Sequence, residues 1–453
     1  MSFRLRAAFA QVRRGAWAVE GLLPTARIEA ACRRAEYQDQ GRVYTAVVTL
    51  QLFLSQLLRA DRACQAAVGA LAAHRVAGGR RACSADTGGY CKARQRIPEA
   101  VCTDLLHESG AELEARAPAE WQWRGRPVRV VDGSTLLIAE TPANRAAYPL
   151  QRGLVAGCHF PVVRILVVFA LATGAVLEAT LRPYQGKGNG ENGMLRDLAE
   201  RFAAGTVLLG DRYFSGFWDL AFWQARGVDL VTRLPVSRRS DFRRGVRLGP
   251  RDHRVKWRRT DRPDWLTAEQ ATAWPAELTL REVRVRVPTP GFRTRVVIVV
   301  TTLLDARRYS AHHLAELYRR RWQAELNFRS LKTQLGMEQL RTKQPASVRK
   351  EFAMHLLAYN VVRGVLHEAA RQRRWQPWQL SFTGALQTLR EFLPCFHEAG
   401  SCEHWLHQLL LFVAQLEVGN RPDRVEPYAL KRRPKDYPPL QTPRNQLPNP
   451  ANT

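Results

Sequence analysis

Hydrophobic and polar residues change their pattern twice along the chain. Up to about residue 118 the chain reads as helical and Arg-rich. YTAVVTLQLFLSQLL (Tyr44–Leu58) is apolar enough for a buried helix, and SADTGGYCKARQRIP (Ser84–Pro98) offers a capping Ser or Asp, two glycines, then Lys92, Arg94 and Arg96. From about residue 126 the texture turns to strands rich in Val, Ile and Leu: RPVRVVDGSTLLI (Arg126–Ile138), FPVVRILVVFALATG (Phe160–Gly174) and AVLEATLRPY (Ala175–Tyr184). A helix (Glu191–Ala203), a strand (Thr206–Phe214), a helix (Ser215–Gly227) and a strand (Val228–Leu234) follow. Three strands followed by alternating helices and strands describe an α/β domain with a mixed sheet.

The pattern breaks again after Leu234. Arg233 to Arg262 holds 12 Lys/Arg against three acids, and two strand-like runs, Leu280–Pro288 and Arg293–Leu304, come next. We read residues 235–304 as a basic β insertion within the α/β domain. A long helical pattern then runs from Ser310 to Gly336, with further helices to about Glu417 and a basic, Pro-rich tail from Arg421. The expected organisation is a helical region (1–118), an α/β domain in two parts (126–234 and 305–345) split by the insertion, and a helical C-terminal region with its tail (346–453).

Charge narrows the function. With 69 Lys+Arg against 41 Asp+Glu, the 453-residue chain carries a formal +28, which points to phosphates and most economically to nucleic acid. The longest apolar run, Ile165–Leu177, is 13 residues, short of the roughly 20 that a spanning helix needs, and Arg13 and Arg14 interrupt any signal-peptide core. Eight scattered cysteines fit reduced thiols in a cytoplasm. The Cys395-x-His397-x4-Cys402-x-His404 cluster is spaced more tightly than a zinc knuckle and is read as part of a helical region.

Two acids end apolar strands, Asp132 in VVDGST and Asp211 in LLGDRYF. Such ends converge where open sheets bind ligands, although Asp-Gly at a strand end is commonly mere turn chemistry. The long helix says more. Tyr318, Arg321, Glu325 and Lys332 stand at offsets 0, 3, 7 and 14, which at about 100° per residue fall within one arc about 60° wide. Leu317, Ala324, Phe328, Leu331 and Leu335 form a neighbouring apolar stripe suited to packing on the sheet. An ion-paired exposed face would explain Arg321 with Glu325, but not the tyrosine and lysine on the same line.

Tyr318-x2-Arg321-x3-Glu325-x6-Lys332 resembles the Y-x2-R-x3-E-x6-K signature of bacterial insertion-sequence transposases with a DDE triad. Asp132 and Asp211 look like the first two acids of that triad. SADTGGYCKARQRIP, HLLAYNVVRGVL (His355–Leu366) and VEPYALKRRPKDYPPL also look like that family, so the resemblance covers nearly the whole chain. It implies a ribonuclease-H-like fold interrupted by the β insertion, for which the spacings of 79 residues (Asp132 to Asp211) and 114 (Asp211 to Glu325) leave room.

The resemblance also implies chemistry. Asp132, Asp211 and Glu325 would hold two Mg²⁺ ions, replaceable by Mn²⁺, one activating the attacking water or 3′-hydroxyl and the other stabilising the leaving oxygen. Arg321 and Lys332 would hold phosphates and Tyr318 the terminal backbone or an unstacked base, with Lys92, Arg94 and Arg96 as further DNA contacts. The implied activity is a cut-and-paste DDE transposase acting on double-stranded DNA as a homodimer, through a hairpin end. It would be cytoplasmic and nucleoid-associated, with no membrane and no nucleotide cofactor. Competing readings are a non-catalytic DNA-binding repressor or decayed transposase, and a ribonuclease-H-like nuclease on branched DNA. Among Trp257, Trp265 and Trp274, core packing is the simpler role for each.

Overall fold

A computed structural model describes residues 19–287, 295–398 and 402–419. Helices α1 (Thr25–Arg34), α2 (Ala46–Leu58), α3 (Cys64–Ala77), α4 (Gly88–Arg96) and α5 (Glu99–Ala115) lead into β1 (Val128–Ile138). Then come α6 (Pro142–Ala147), β2 (Val162–Ala170), β3 (Val176–Pro183), α7 (Glu191–Asp197), β4 (Val207–Leu209), α8 (Phe217–Gln224) and β5 (Asp229–Arg233). The insertion supplies β6 (Val246–Gly249), β7 (Asp252–Arg258), α9 (Ala268–Ala273), β8 (Glu277–Val287) and β9 (Arg295–Thr301). The chain closes with α10 (Ala311–Arg320), α11 (Trp322–Arg329), β10 (Gln339–Leu340), α12 (Pro345–Arg373), α13 (Phe382–Phe392) and α14 (Cys402–Val413).

The described residues hold one mixed sheet of ten strands in the order β3-β2-β1-β4-β5-β9-β8-β7-β6, with β10 pairing on β1. The first three strands are antiparallel, while β4 and β5 run parallel to β1, the ribonuclease-H-like arrangement. The insertion strands extend the same sheet through antiparallel β5–β9 pairing. A buried fork closes that extension onto the rest: Arg281 donates to both oxygens of Asp252 at 2.8 and 2.5 Å and to the Tyr309 carbonyl at 2.5 Å. Fork-shaped pairing of this kind fixes geometry as well as charge.

Two cores flank the sheet. Val128, Val130, Leu136 and Ile138 of β1 belong to the larger, with Leu317, Ala324 and Phe328 of the α10–α11 region and much of α12. Val131 belongs to the other, with Leu166, Met194, Leu195 and the aromatic side chains of α8. Alternation along β1 thus gives each face its own helices.

The HLLAYNVVRGVL motif lies inside α12 and is scaffold. Asn360 accepts from the Val176 N–H and donates to the Val176 carbonyl, both at 2.8 Å, which pins the β2–β3 turn. Arg363 donates to Asn327 at 2.5 Å and to the Tyr359 hydroxyl at 2.8 Å, so it grips the helix that carries Glu325.

Candidate active site

Asp132 is not at a strand end. The antiparallel β1–β2 ladder pairs every residue from Arg129 to Leu137, so Asp132 and Gly133 lie in mid-strand. The opposite edge of β1 is different: β4 pairs only with Val128–Val130 and β10 only with Leu137 and Ile138. Between them the edge of β1 faces a gap in the sheet, and Asp132 sits in it. Its Oδ1 accepts from the Gly133 N–H at 3.0 Å. Burial pushes its pKa up to about 6 against the pull of Arg321, and Asp211 and Glu191 add repulsion.

Asp211 stands just past the end of β4, after Gly210. Its side chain caps a short 3₁₀ turn (Arg212–Phe214), accepting from the Tyr213 N–H at 2.7 Å. Parallel pairing of β4 with β1 sets Asp211 at the mouth of the same gap, within electrostatic reach of Asp132.

The predicted long helix is interrupted. Arg321 N–H donates to the Tyr318 carbonyl and Ala324 N–H to the Arg321 carbonyl, three-residue steps that tighten the helix at Arg321. A π turn over Ser330–Gln334 then loosens it. The apolar stripe survives both irregularities, and Leu317, Ala324, Phe328, Leu331 and Leu335 are all buried. Phe328 meets Phe169 of β2 edge-on at 5.5 Å, which lays α11 against the sheet.

The signature side chains divide. Arg321 donates to Glu325 at 2.9 Å and lies within electrostatic reach of Asp132. Tyr318 is only 9% exposed and is influenced by Arg321, Arg233 and Asp211, with burial raising its pKa. Lys332, in the π turn, faces Glu338 instead, and burial lowers its pKa. The single arc drawn for a straight helix therefore holds for Tyr318, Arg321 and Glu325, while Lys332 takes a separate place.

Two side chains at the gap escape a reading of the sequence. Glu191, at the start of α7, lies over Gly133: a Cβ built on Gly133 would fall 2.1 Å from the Glu191 carboxyl carbon. Arg233, at the end of β5, is near Tyr318. The available signal was Gly133 itself, since a glycine inside a strand marks close approach by another group.

The donor set suits a hard divalent cation. It consists of carboxylate oxygens, one of them on a buried group that neighbouring carboxylates repel. The acids are nevertheless not gathered: among the described residues no three Asp, Glu, His or Cys side chains stand close enough to hold an ion, and Glu325 is engaged by Arg321.

Elsewhere the expected sites fare unevenly. Lys92 and Arg96 are exposed on α4, but Arg94 turns inward and stacks 3.6 Å over the Phe53 ring. Trp257 is core, donating to Glu282 at 2.7 Å; Trp265 is 36% exposed, with Arg196 3.9 Å above its ring. The side chains of His397 and Cys402 and the tail from Arg421 lie outside the described residues. No helix among the described residues is long and apolar enough to cross a membrane.

Comparison with known proteins identifies the family. A family model described as the transposase DDE domain matches residues 123–361, more than half of the chain. The transposase InsG for insertion sequence element IS4 of Escherichia coli K12 is 26% identical over 353 residues, 77% of each chain. The transposase for insertion sequence element IS421 of Escherichia coli is 39% identical over 61 residues, 14% of this chain and 16% of that one. A solved piggyBac transposase synaptic complex with hairpin DNA aligns over 92% of this chain and 86% of its own at a TM-score of 0.40 and 10% identity. The chain belongs to the DDE transposase family, and its DDE domain makes it a metal-dependent polynucleotidyl transferase.

Proposed function

We propose that this protein is the transposase of an insertion sequence: it binds the element's terminal inverted repeats as a homodimer, frees them through a hairpin intermediate and joins them to target DNA. The observation that supports the reading is the gap beside β1: Asp132 and Asp211 flank it within electrostatic reach of each other, and Arg321, paired with Glu325, lies within reach of Asp132.

Asp132, Asp211 and Glu325 would hold Mg²⁺ or Mn²⁺, two ions in all. Bound there, the ions supply an activated oxygen nucleophile and a counter-charge for the leaving oxygen. Arg321 then exchanges Glu325 for a backbone phosphate, which frees the third acid at the moment DNA arrives. Tyr318 packs behind Arg321 and holds it in place. Lys332 contributes charge to the strand beyond the cleaved bond, and Lys92 and Arg96 contact phosphates of the repeat. Trp265 is the most exposed of the three insertion tryptophans and thus the best placed to stack an unpaired base.

Incubating the protein with a duplex carrying the element's own ends, in Mg²⁺ and in EDTA, tests this reading. Hairpin, nicked and open products separate on denaturing gels. Mg²⁺-dependent hairpins are expected; tight end binding with no cleavage in Mg²⁺ or Mn²⁺ would instead support the repressor reading.

A further inference from the structure

Glu191 occupies a position that ordinary helix-capping does not explain. Helix α7 packs on the face of the sheet that carries Val131 and Leu166, opposite the face that carries Tyr318 and Phe328. Glu191 nevertheless reaches β1 at Gly133, where a side chain of any size would displace it. Because β4 stops at its pairing with Val130, the edge of β1 next to Asp132 is open, and groups from both faces can enter the same gap.

The start of α7 is also tied to the Asp211 turn. Asn192 donates to the Tyr213 carbonyl at 2.9 Å and to Asp219 at 3.1 Å, and Arg196 holds the other oxygen of Asp219 at 2.5 Å. Glu191 is thus fixed relative to both strand-borne acids. Its own charge is poorly matched: among the described residues its ion-pair partner is Arg164, at 3.5 Å, the outer limit of a hydrogen bond. A half-buried carboxylate within electrostatic reach of two others, with so distant a cation, is placed to take part in holding a cation that comes from solution.

We propose that Glu191 is a fourth carboxylate of the metal centre, binding the ion together with Asp132 and Asp211, and that residue 133 is glycine so that Glu191 can enter the gap. This inference rests on the metal-dependent reading of the site. The ligands then come from β1, from the start of α7, from the turn after β4 and from α11, and the ion must draw their carboxylates together, since among the described residues no three of them already stand within reach of one ion.

Mn²⁺ binding, followed by loss of the free-ion electron paramagnetic resonance signal, tests it directly. The full chain is bound to a duplex carrying the element's end, binding by DNA alone is subtracted, and melting temperatures are recorded in EDTA. Glu191→Gln is expected to weaken Mn²⁺ binding at least tenfold while its metal-free melting temperature stays within a few degrees of the parent. Gly133→Ala keeps every carboxylate but displaces Glu191, and should weaken Mn²⁺ binding comparably. Asp132→Asn is the reference for loss of a ligand.

If Glu191→Gln and Gly133→Ala bind Mn²⁺ as the parent does while Asp132→Asn does not, Glu191 is not a ligand and only this inference falls. If the parent itself takes up no Mn²⁺ beyond the DNA background, the metal-dependent reading falls and this inference with it.

Discussion

The guanidinium of Arg321 holds the carboxylate of Glu325 at 2.9 Å across one turn of helix, and the same charge lies within reach of Asp132. An arginine thus stands beside two of the acids, where a cation is expected. Arg321→Ala removes that competitor. We expect the DNA-free variant to bind Mn²⁺ about three- to tenfold more tightly, of the order of 1 kcal/mol. End-cleavage activity should nonetheless fall, because the same arginine is assigned to phosphate. Titration of the free protein, with cleavage measured in parallel, checks both arms. Weaker Mn²⁺ binding would show that Arg321 supports the ligands.

Stability should carry the mark of Asp132. Burial raises its pKa to about 6 from the ordinary 3.8, so the folded protein binds a proton there that the unfolded chain has released. Its contribution to stability is therefore complete below about pH 4, declines between 4 and 6, and stays low above that. In EDTA, Asp132→Asn should melt several degrees above the parent at pH 8, and the difference should vanish near pH 4. Melting curves across that range, with and without Mn²⁺, measure it. Mn²⁺ should stabilise the parent more than the variant.

These two expectations depend on parts of the site that were unequally legible in the sequence. The strands were readable because runs such as VVRILVVFA must be buried, and the helix because Leu317, Phe328 and Leu331 recur at its period. The Arg321 tightening and the π turn were not readable. Both are adjustments made against the sheet, and a fixed 100° step cannot register them. Asp132 looked like a strand end because Asp-Gly so often turns a chain, but the β2 ladder carries the strand straight through it. Glu191 was hidden for a different reason. It arrives from the opposite face of the sheet, and only the three-dimensional gap beside β1 brings it near Asp132.

The Lys92–Arg94–Arg96 triplet shows the same limit. One period in the sequence suggested one role, yet Lys92 and Arg96 are exposed while Arg94 packs on Phe53 and reaches Gln56 at 3.5 Å. Lys92→Ala and Arg96→Ala should each weaken end binding and lower the slope of log affinity against log salt by roughly one, with no change in melting temperature. Arg94→Ala should instead lower the melting temperature through lost stacking and packing. Salt-dependent binding isotherms and melting curves separate the two classes.

Asn360 is a scaffold residue, and its removal should be felt as instability. It satisfies both the N–H and the carbonyl of Val176, the buried first residue of β3. Asn360→Ala leaves both unpaired and should cost about 2–4 kcal/mol. Chemical denaturation measures that loss, and end binding should be intact at temperatures where the variant is folded.

The most direct test of the account is cleavage by Glu325→Ala on DNA carrying the element's ends, with binding measured on the same preparation. Affinity for the ends should stay within a few-fold of the parent, since distributed cations carry it. Hairpin and nicked products should disappear in both Mg²⁺ and Mn²⁺. Cleavage at the parent's rate would contradict the assignment of Glu325, and with it the role given to the gap beside β1.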